Sequence, residues 1–126
     1  ISNRDEKRAR SLADAFRCTT LPLGEFEAAL RSCDLLVNCT PLGSQPQGAL
    51  GNYPFVLNAV PKSCAVFDLV TRETPLTKAA SVAGAVVITG PRMLLFQALQ
   101  QFRLFTEVEP PQEVMEAALK LELAKT

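Results

Sequence analysis

Leu35-Leu36-Val37-Asn38-Cys39-Thr40-Pro41-Leu42-Gly43 is the stretch whose reading decides the fold. Three apolar residues run without alternation into small polar ones, and a proline and a glycine follow. An apolar run of this kind reads as a strand buried on both faces, the type found in parallel sheets covered by helices. In open parallel sheets a ligand sits beyond the carboxyl ends of the strands. Asn38, Cys39 and Thr40 stand at that end. The stretch predicts either a dinucleotide or substrate cleft lined by the loop 40–43, or a plain buried strand that leaves through a turn.

Composition narrows the class. The chain has 126 residues, 48% of them apolar, which suits one globular domain with a real core. Net charge is zero, which argues against a general nucleic-acid or membrane-surface role. No apolar run approaches the ~20 residues that span a bilayer. Ile1-Ser2-Asn3-Arg4 leads into a charged segment without a leader pattern. Cys18, Cys33, Cys39 and Cys64 show no C-x-x-C spacing and lie in or beside apolar segments, as reduced cysteines of cytoplasmic proteins do. There is no histidine, so Ser-His-Asp and Cys-His chemistry and histidine-held zinc are excluded from this chain.

Outward from the central strand, the pattern alternates. Residues 5–16 predict a helix with Ala9, Leu12, Ala13 and Phe16 on its buried face. Arg4, Lys7, Arg8 and Arg10 crowd its start, where cations oppose the helix dipole, and a bound anion would relieve the conflict. Residues 18–21 predict a short strand closed by Pro22, and 25–31 a short helix. Residues 43–54, rich in glycine and proline, predict a long irregular loop. Residues 65–67 and 85–88 predict two more buried strands. Between them lies a helix over 75–82, capped by Thr74 and opened by Pro75. Gly90 starts the longest helix, with Leu95, Leu99 and Phe102 on its core face. The last helix, 112–123, carries Val114, Ala118 and Leu121 on one stripe, with Met115 and Leu119 beside it. Alternating strands and helices predict an α/β fold with a parallel sheet and right-handed crossovers.

Four blocks now carry a resemblance. Asn38-Cys39-Thr40-Pro41-Leu42-Gly43 resembles the N-A-T-P-x-G segment of the shikimate and quinate dehydrogenases. Val66-Phe67-Asp68-Leu69-Val70 with Thr74-Pro75-Leu76 resembles their V-Y-D-x-V-Y…T-P-L segment. Gly90-Pro91-Arg92-Met93-Leu94-Leu95-Phe96-Gln97 resembles their G-x-x-M-L-x-x-Q helix start, and Asn3-Arg4-Asp5 their N-R-T turn. The blocks keep family order and spacing over nearly the whole chain. The resemblance implies the carboxyl portion of a single NADP-binding, Rossmann-like domain over 1–126. Its family reduces 3-dehydroshikimate to shikimate with NADPH, in the biosynthesis of aromatic amino acids. It further implies that Asn3, Arg4 and Arg8 hold the 2′-phosphate, that Thr40 and Pro41 lie beside the dinucleotide, that Leu69, Gly90 and Met93 lie near the nicotinamide, and that Gln97 hydrogen-bonds the substrate. Arginine is suited to phosphate by its bidentate geometry.

Three departures bear on function. Thr71 stands where the family has a tyrosine that reaches the substrate. Asp5 replaces the threonine of N-R-T and repels a 2′-phosphate, although Arg4 and Arg8 outweigh it. The family's catalytic lysine and aspartate, and its glycine-rich pyrophosphate loop, have no counterpart here, so no catalytic residue is assigned. The chain therefore reads as the later part of a partial Rossmann-like sheet, without its first strand, first helix and most of its second strand. Its expected partners are a shikimate- or quinate-type small molecule, the missing amino-terminal portion, and a second copy, with no nucleic acid or membrane. The isolated piece is expected to be inactive. The alternative is a non-catalytic dinucleotide- or ligand-binding module, such as part of a sensor or repressor.

Overall fold

The computed structural model describes residues 1–44 and 52–125. The loop expected over 43–54 falls largely on residues 45–51, outside the described residues. The first element is helix α1, Glu6–Phe16, and its start is set by Asp5. The Asp5 carboxylate accepts hydrogen bonds from the Lys7 and Arg8 amides at 3.0 and 3.2 Å, which satisfies two orphan donors and answers the dipole conflict of the neighbouring cations. Only part of the expected buried face is buried: Ala9 and Ala13 are, whereas Leu12 and Phe16 are exposed.

The strand expected over 18–21 does not form. The Cys18 amide bonds back to the Ala13 carbonyl of α1, and the segment otherwise meets Ile1, whose amino group donates to the Thr19 carbonyl and whose carbonyl accepts from Leu21. A strand needs a partner along its length. A 3₁₀ turn, Leu23–Glu25, then leads into the short helix α2, Phe26–Leu30.

Strand β1, Leu35–Asn38, corrects the reading of the opening stretch. Leu36 and Asn38 are 8% and 7% exposed, but Leu35 and Val37 are 49% and 42% exposed, so the strand is buried on one face only. After a 3₁₀ turn, Leu57–Ala59, comes β2, Ala65–Asp68, and then β3, Val87–Thr89. The three form a parallel sheet in the order β1-β2-β3, with Leu35 opposite Ala65 and Val66 opposite Val87. The expected α/β class holds. β3 begins two residues later than expected because the Ala85 amide bonds back to Ala80, at the end of helix α3, Pro75–Val82.

The core lies on the β1–β2 face that carries Leu36 and Val66, under Leu30, Val60, Cys64, Leu76 and Ala80. Phe26 and Phe55 stack at its margin, ring centres 5.0 Å apart. Helix α3 starts on a reciprocal cap: the Thr74 hydroxyl accepts from the Thr77 amide, and the Thr77 hydroxyl from the Thr74 amide. Helix α4, Gly90–Thr106, follows β3 directly and buries Leu95 and Leu99. Helix α5, Gln112–Leu123, packs on α4. Its half-buried residues include Met115, Leu119 and Leu123, four apart, while Val114, Ala118 and Leu121 face out, so the packed stripe is the neighbour of the expected one. Among the described residues no helix is long and apolar enough to cross a membrane.

Candidate cofactor cleft

The parallel register sets Asn38 opposite Asp68 at the carboxyl ends of β1 and β2, both buried. The Asn38 Nδ2 donates to Asp68 Oδ1 over 3.0 Å. Asn38 Oδ1 accepts from the Thr40 amide at 3.0 Å and from the Thr40 hydroxyl at 2.6 Å, and the Thr40 hydroxyl in turn accepts from the Leu42 amide. Asp68 also accepts from the Val70 amide at 3.1 Å and the Thr74 hydroxyl at 2.7 Å. Both side chains are thus spent on shaping the two loops that leave the strands. A buried carboxylate with this many donors is well satisfied and has little reason to act on a ligand. Sequence reading placed Asn38 at the strand end but did not see Asp68 as its partner. The signal was a polar residue at the last position of two successive apolar strands.

The loop after β1 is held from outside by Tyr53, whose hydroxyl donates to the Leu42 carbonyl over 3.1 Å. Burial raises the Tyr53 phenol above its ordinary pKa; a hydrogen bond with Thr74 opposes this and the Asp68 charge adds to it. Gly43 turns there at φ +86°, and a Cβ would collide with the Tyr53 hydroxyl and Thr74. Gly90 is equally constrained. A Cβ on it would run into the carbonyl oxygens of Leu69 and Val70, so α4 starts hard against the loop after β2.

The expected site residues thus fall into two groups. Thr40 and Pro41 on the first loop, Leu69 on the second, and Gly90 at the start of α4 converge at the carboxyl edge of the sheet, since the Leu69 amide bonds to the Asn38 carbonyl and Gly90 packs on Leu69. Met93, half-buried, is one turn into α4, and Gln97, exposed, is one turn further. Asn3, Arg4, Asp5 and Arg8 form a separate group at the start of α1. There Asn3 Oδ1 accepts from the Asp5 amide, and Asp5 Oδ2 lies 3.5 Å from Arg8 Nε. The Asp5 carboxylate takes the helix amides that an anion was expected to use. What remains for a phosphate is side-chain charge: exposed Arg4, Lys7 and Arg8. A cleft of about 540 Å³ opens on the α3 side of β3, with Thr71, Arg72, Thr77, Thr89 and Pro91 among its walls. It contains none of the expected site residues, although Thr71 is the position where the resemblance calls for tyrosine.

The family described as "Shikimate 5'-dehydrogenase C-terminal domain" matches residues 90–120, the stretch from Gly90 through α4 into α5. The shikimate dehydrogenase (NADP(+)) of Methanothrix thermoacetophila is 32% identical over 126 residues, 99% of this chain and 46% of that protein. The chain matches the carboxyl-terminal part of the shikimate and quinate dehydrogenase family. Solved structures of that family overlay on nearly all of it. The quinate dehydrogenase of Corynebacterium glutamicum, in complex with NAD, gives a TM-score of 0.84 at 32% identity, covering 98% of this chain and 45% of that one. The shikimate 5-dehydrogenase of Thermus thermophilus, in complex with NADP(H) and shikimate, gives 0.78 at 33% identity, covering 95% and 44%. The chain spans a little under half the length of these relatives.

Proposed function

We propose that this chain is the NADP-binding part of a cytoplasmic, shikimate dehydrogenase-like oxidoreductase that interconverts 3-dehydroshikimate and shikimate, and that it is inactive without the amino-terminal portion of the family. The observation that supports this best is the convergence of Thr40, Leu69 and Gly90 at the carboxyl edge of a parallel sheet that overlays on NADP- and NAD-bound relatives. The edge and one face of β1 are open among the described residues, which suits an amino-terminal unit in the same or another chain completing the sheet.

The residues present fit the cofactor in kind. Arg4, Lys7, Arg8 and Arg10 give four exposed cations against the Asp5 and Glu6 carboxylates, so the α1 start suits a 2′-phosphate held by guanidinium groups. In this reading the nicotinamide supplies the hydride when bound. In the same reading Thr40, Pro41 and Leu69, at the carboxyl edge of the sheet, lie beside the dinucleotide, Met93 gives an apolar surface, and Gln97 offers an amide to a polyol. Residues of the amino-terminal portion handle the proton in this reading.

Cofactor affinities test the reading in an enzyme that joins this chain to such a portion. Arg4→Ala is expected to weaken NADPH by about 1–3 kcal/mol and to leave NADH nearly unchanged. Equal losses for both would remove the 2′-phosphate assignment. Thr71, exposed on the wall of the α3 cleft, is the one observation that favours a non-catalytic binding module. Cofactor binding without turnover in the joined enzyme would decide for that alternative.

A further inference from the structure

Two thiols lie together at the amino ends of β1 and β2, away from the candidate cleft. Cys33 stands two residues before β1 and Cys64 immediately before β2. Leu35 is opposite Ala65, and the Ala65 amide donates to the Asp34 carbonyl over 2.9 Å, so the two segments are hydrogen-bonded neighbours where the cysteines sit. Cys64 is wholly buried in the core, and Cys33 packs half-buried against that core; the Cys33 thiol donates to the Leu35 carbonyl over 3.0 Å and the Cys64 thiol to the Ala65 carbonyl over 3.5 Å. The register sets Asp34 beside Cys64, so Cys33 is one residue off direct pairing; with strands about 4.8 Å apart and about 3.3 Å per residue along them, that diagonal is roughly 6 Å, within the ~4.4–6.8 Å Cα separation of a disulfide. Both thiols are free, as are the exposed Cys18 and Cys39.

We propose that Cys33 and Cys64 are a reversible dithiol–disulfide pair that clamps the edge strand β1 to β2. The oxidant is a small-molecule disulfide such as glutathione disulfide. Cys33, the more accessible, reacts first: its thiolate attacks one glutathione sulfur, the S–S bond breaks, and one glutathione leaves as thiolate. Cys64 then gives up its proton to water and attacks the Cys33 sulfur, expelling the second glutathione. The protein loses two electrons and two protons, and one glutathione disulfide becomes two glutathione thiols. The second step is the slow one. Burial, followed by the neighbouring Cys33 thiol, pushes the Cys64 thiol up to about 11 against a weaker opposing backbone hydrogen bond from Leu36, and the charge of Asp34 adds least. Cys33 and Asp34 are the titratable groups facing it. Only the thiolate attacks, so closure is slow near neutrality and speeds up by about tenfold per pH unit below that value. The link matters because β1 has a single strand partner among the described residues.

The test oxidises the purified chain with glutathione disulfide, both folded and in guanidinium chloride, caps free thiols with iodoacetamide, and maps linkages by tandem mass spectrometry without reductant. The folded chain is expected to give a Cys33–Cys64 link, with glutathione on Cys18 and Cys39, reversal by dithiothreitol, and a higher thermal midpoint than the reduced form. In Cys64→Ser, Cys33 stops at its glutathione adduct; in Cys33→Ser, Cys64 stays unmodified. The proposal is overturned if wild-type Cys33 keeps its glutathione while Cys64 remains free, if either pairs with Cys18 or Cys39, or if the link forms as readily in guanidinium as in the folded chain.

Discussion

The two faces of the sheet start from the same residue types and end differently. On one face Leu36 and Val66 are closed in under Leu30, Val60, Leu76 and Ala80, and the same face carries Asn38 and Asp68 to their mutual hydrogen bond. On the other, Leu35 and Val37 stand open beside half-buried Ala65 and Phe67. A strand sends successive side chains to opposite faces, so Leu35-Leu36-Val37 divides itself between them whatever its hydropathy. The difference teaches that an apolar run records how much a strand can bury, while its neighbours decide how much it does bury. Stability should therefore reside on the closed face, and recognition of further structure on the open one.

Substitutions rank the two faces. Leu76→Ala on the closed face should cost most, about 4 kcal/mol, because its cavity is surrounded on all sides; urea unfolding measures it, and a loss below about 1 kcal/mol would mean that the closed face is not the core. Asp68→Ala should cost about 3 kcal/mol, since it strands the Asn38 amide, the Thr74 hydroxyl and the Val70 amide together. A double-mutant cycle with Asn38→Ala should show non-additivity, and simple additivity would mean that the pair is not coupled. Gly90→Ala should cost about 2 kcal/mol, because the new methyl meets backbone oxygens that belong to β2's exit loop. Val37→Ala on the open face should cost less than about 1 kcal/mol in the chain alone. In the joined enzyme its cost should rise toward that of a buried valine, and an unchanged cost would show that nothing covers this face there.

Local chemistry was legible in the residues themselves. Thr74-Pro75 marks a helix start because a hydroxyl caps and a proline fits the first position, and the structure has both. Gly90-Pro91 opens α4 with a proline in the first turn but no side-chain cap, and Gly90 also meets the demand for close approach to β2's loop. The order of strands 35–38, 65–68 and 87–89 as parallel neighbours followed from the long connections between them, the second carrying α3. Sequence reading went astray where the answer depended on what lies opposite. Residues 18–21 have strand-like composition and too little partner. Leu12 and Phe16 keep helical spacing and have no cover. On α5, Val114, Ala118 and Leu121 and Met115, Leu119 and Leu123 are equally good stripes by composition, and only the seat of α5 on α4 selects the second.

The sequence by itself determined the α/β class, the strand order, the helix starts and the four blocks that resemble the shikimate and quinate dehydrogenases, because each of these rests on interactions within a few residues or on the length of a connection. Only the tertiary structure decided that β1 is closed on one face, that Asn38 and Asp68 are partners 30 positions apart, that Asp5 takes the α1 amides for itself, and that Cys33 packs against the core holding Cys64. These depend on register across strands and on which surface finds a neighbour. Burial and pairing belong to two segments at once, so no single stretch of residues carries them.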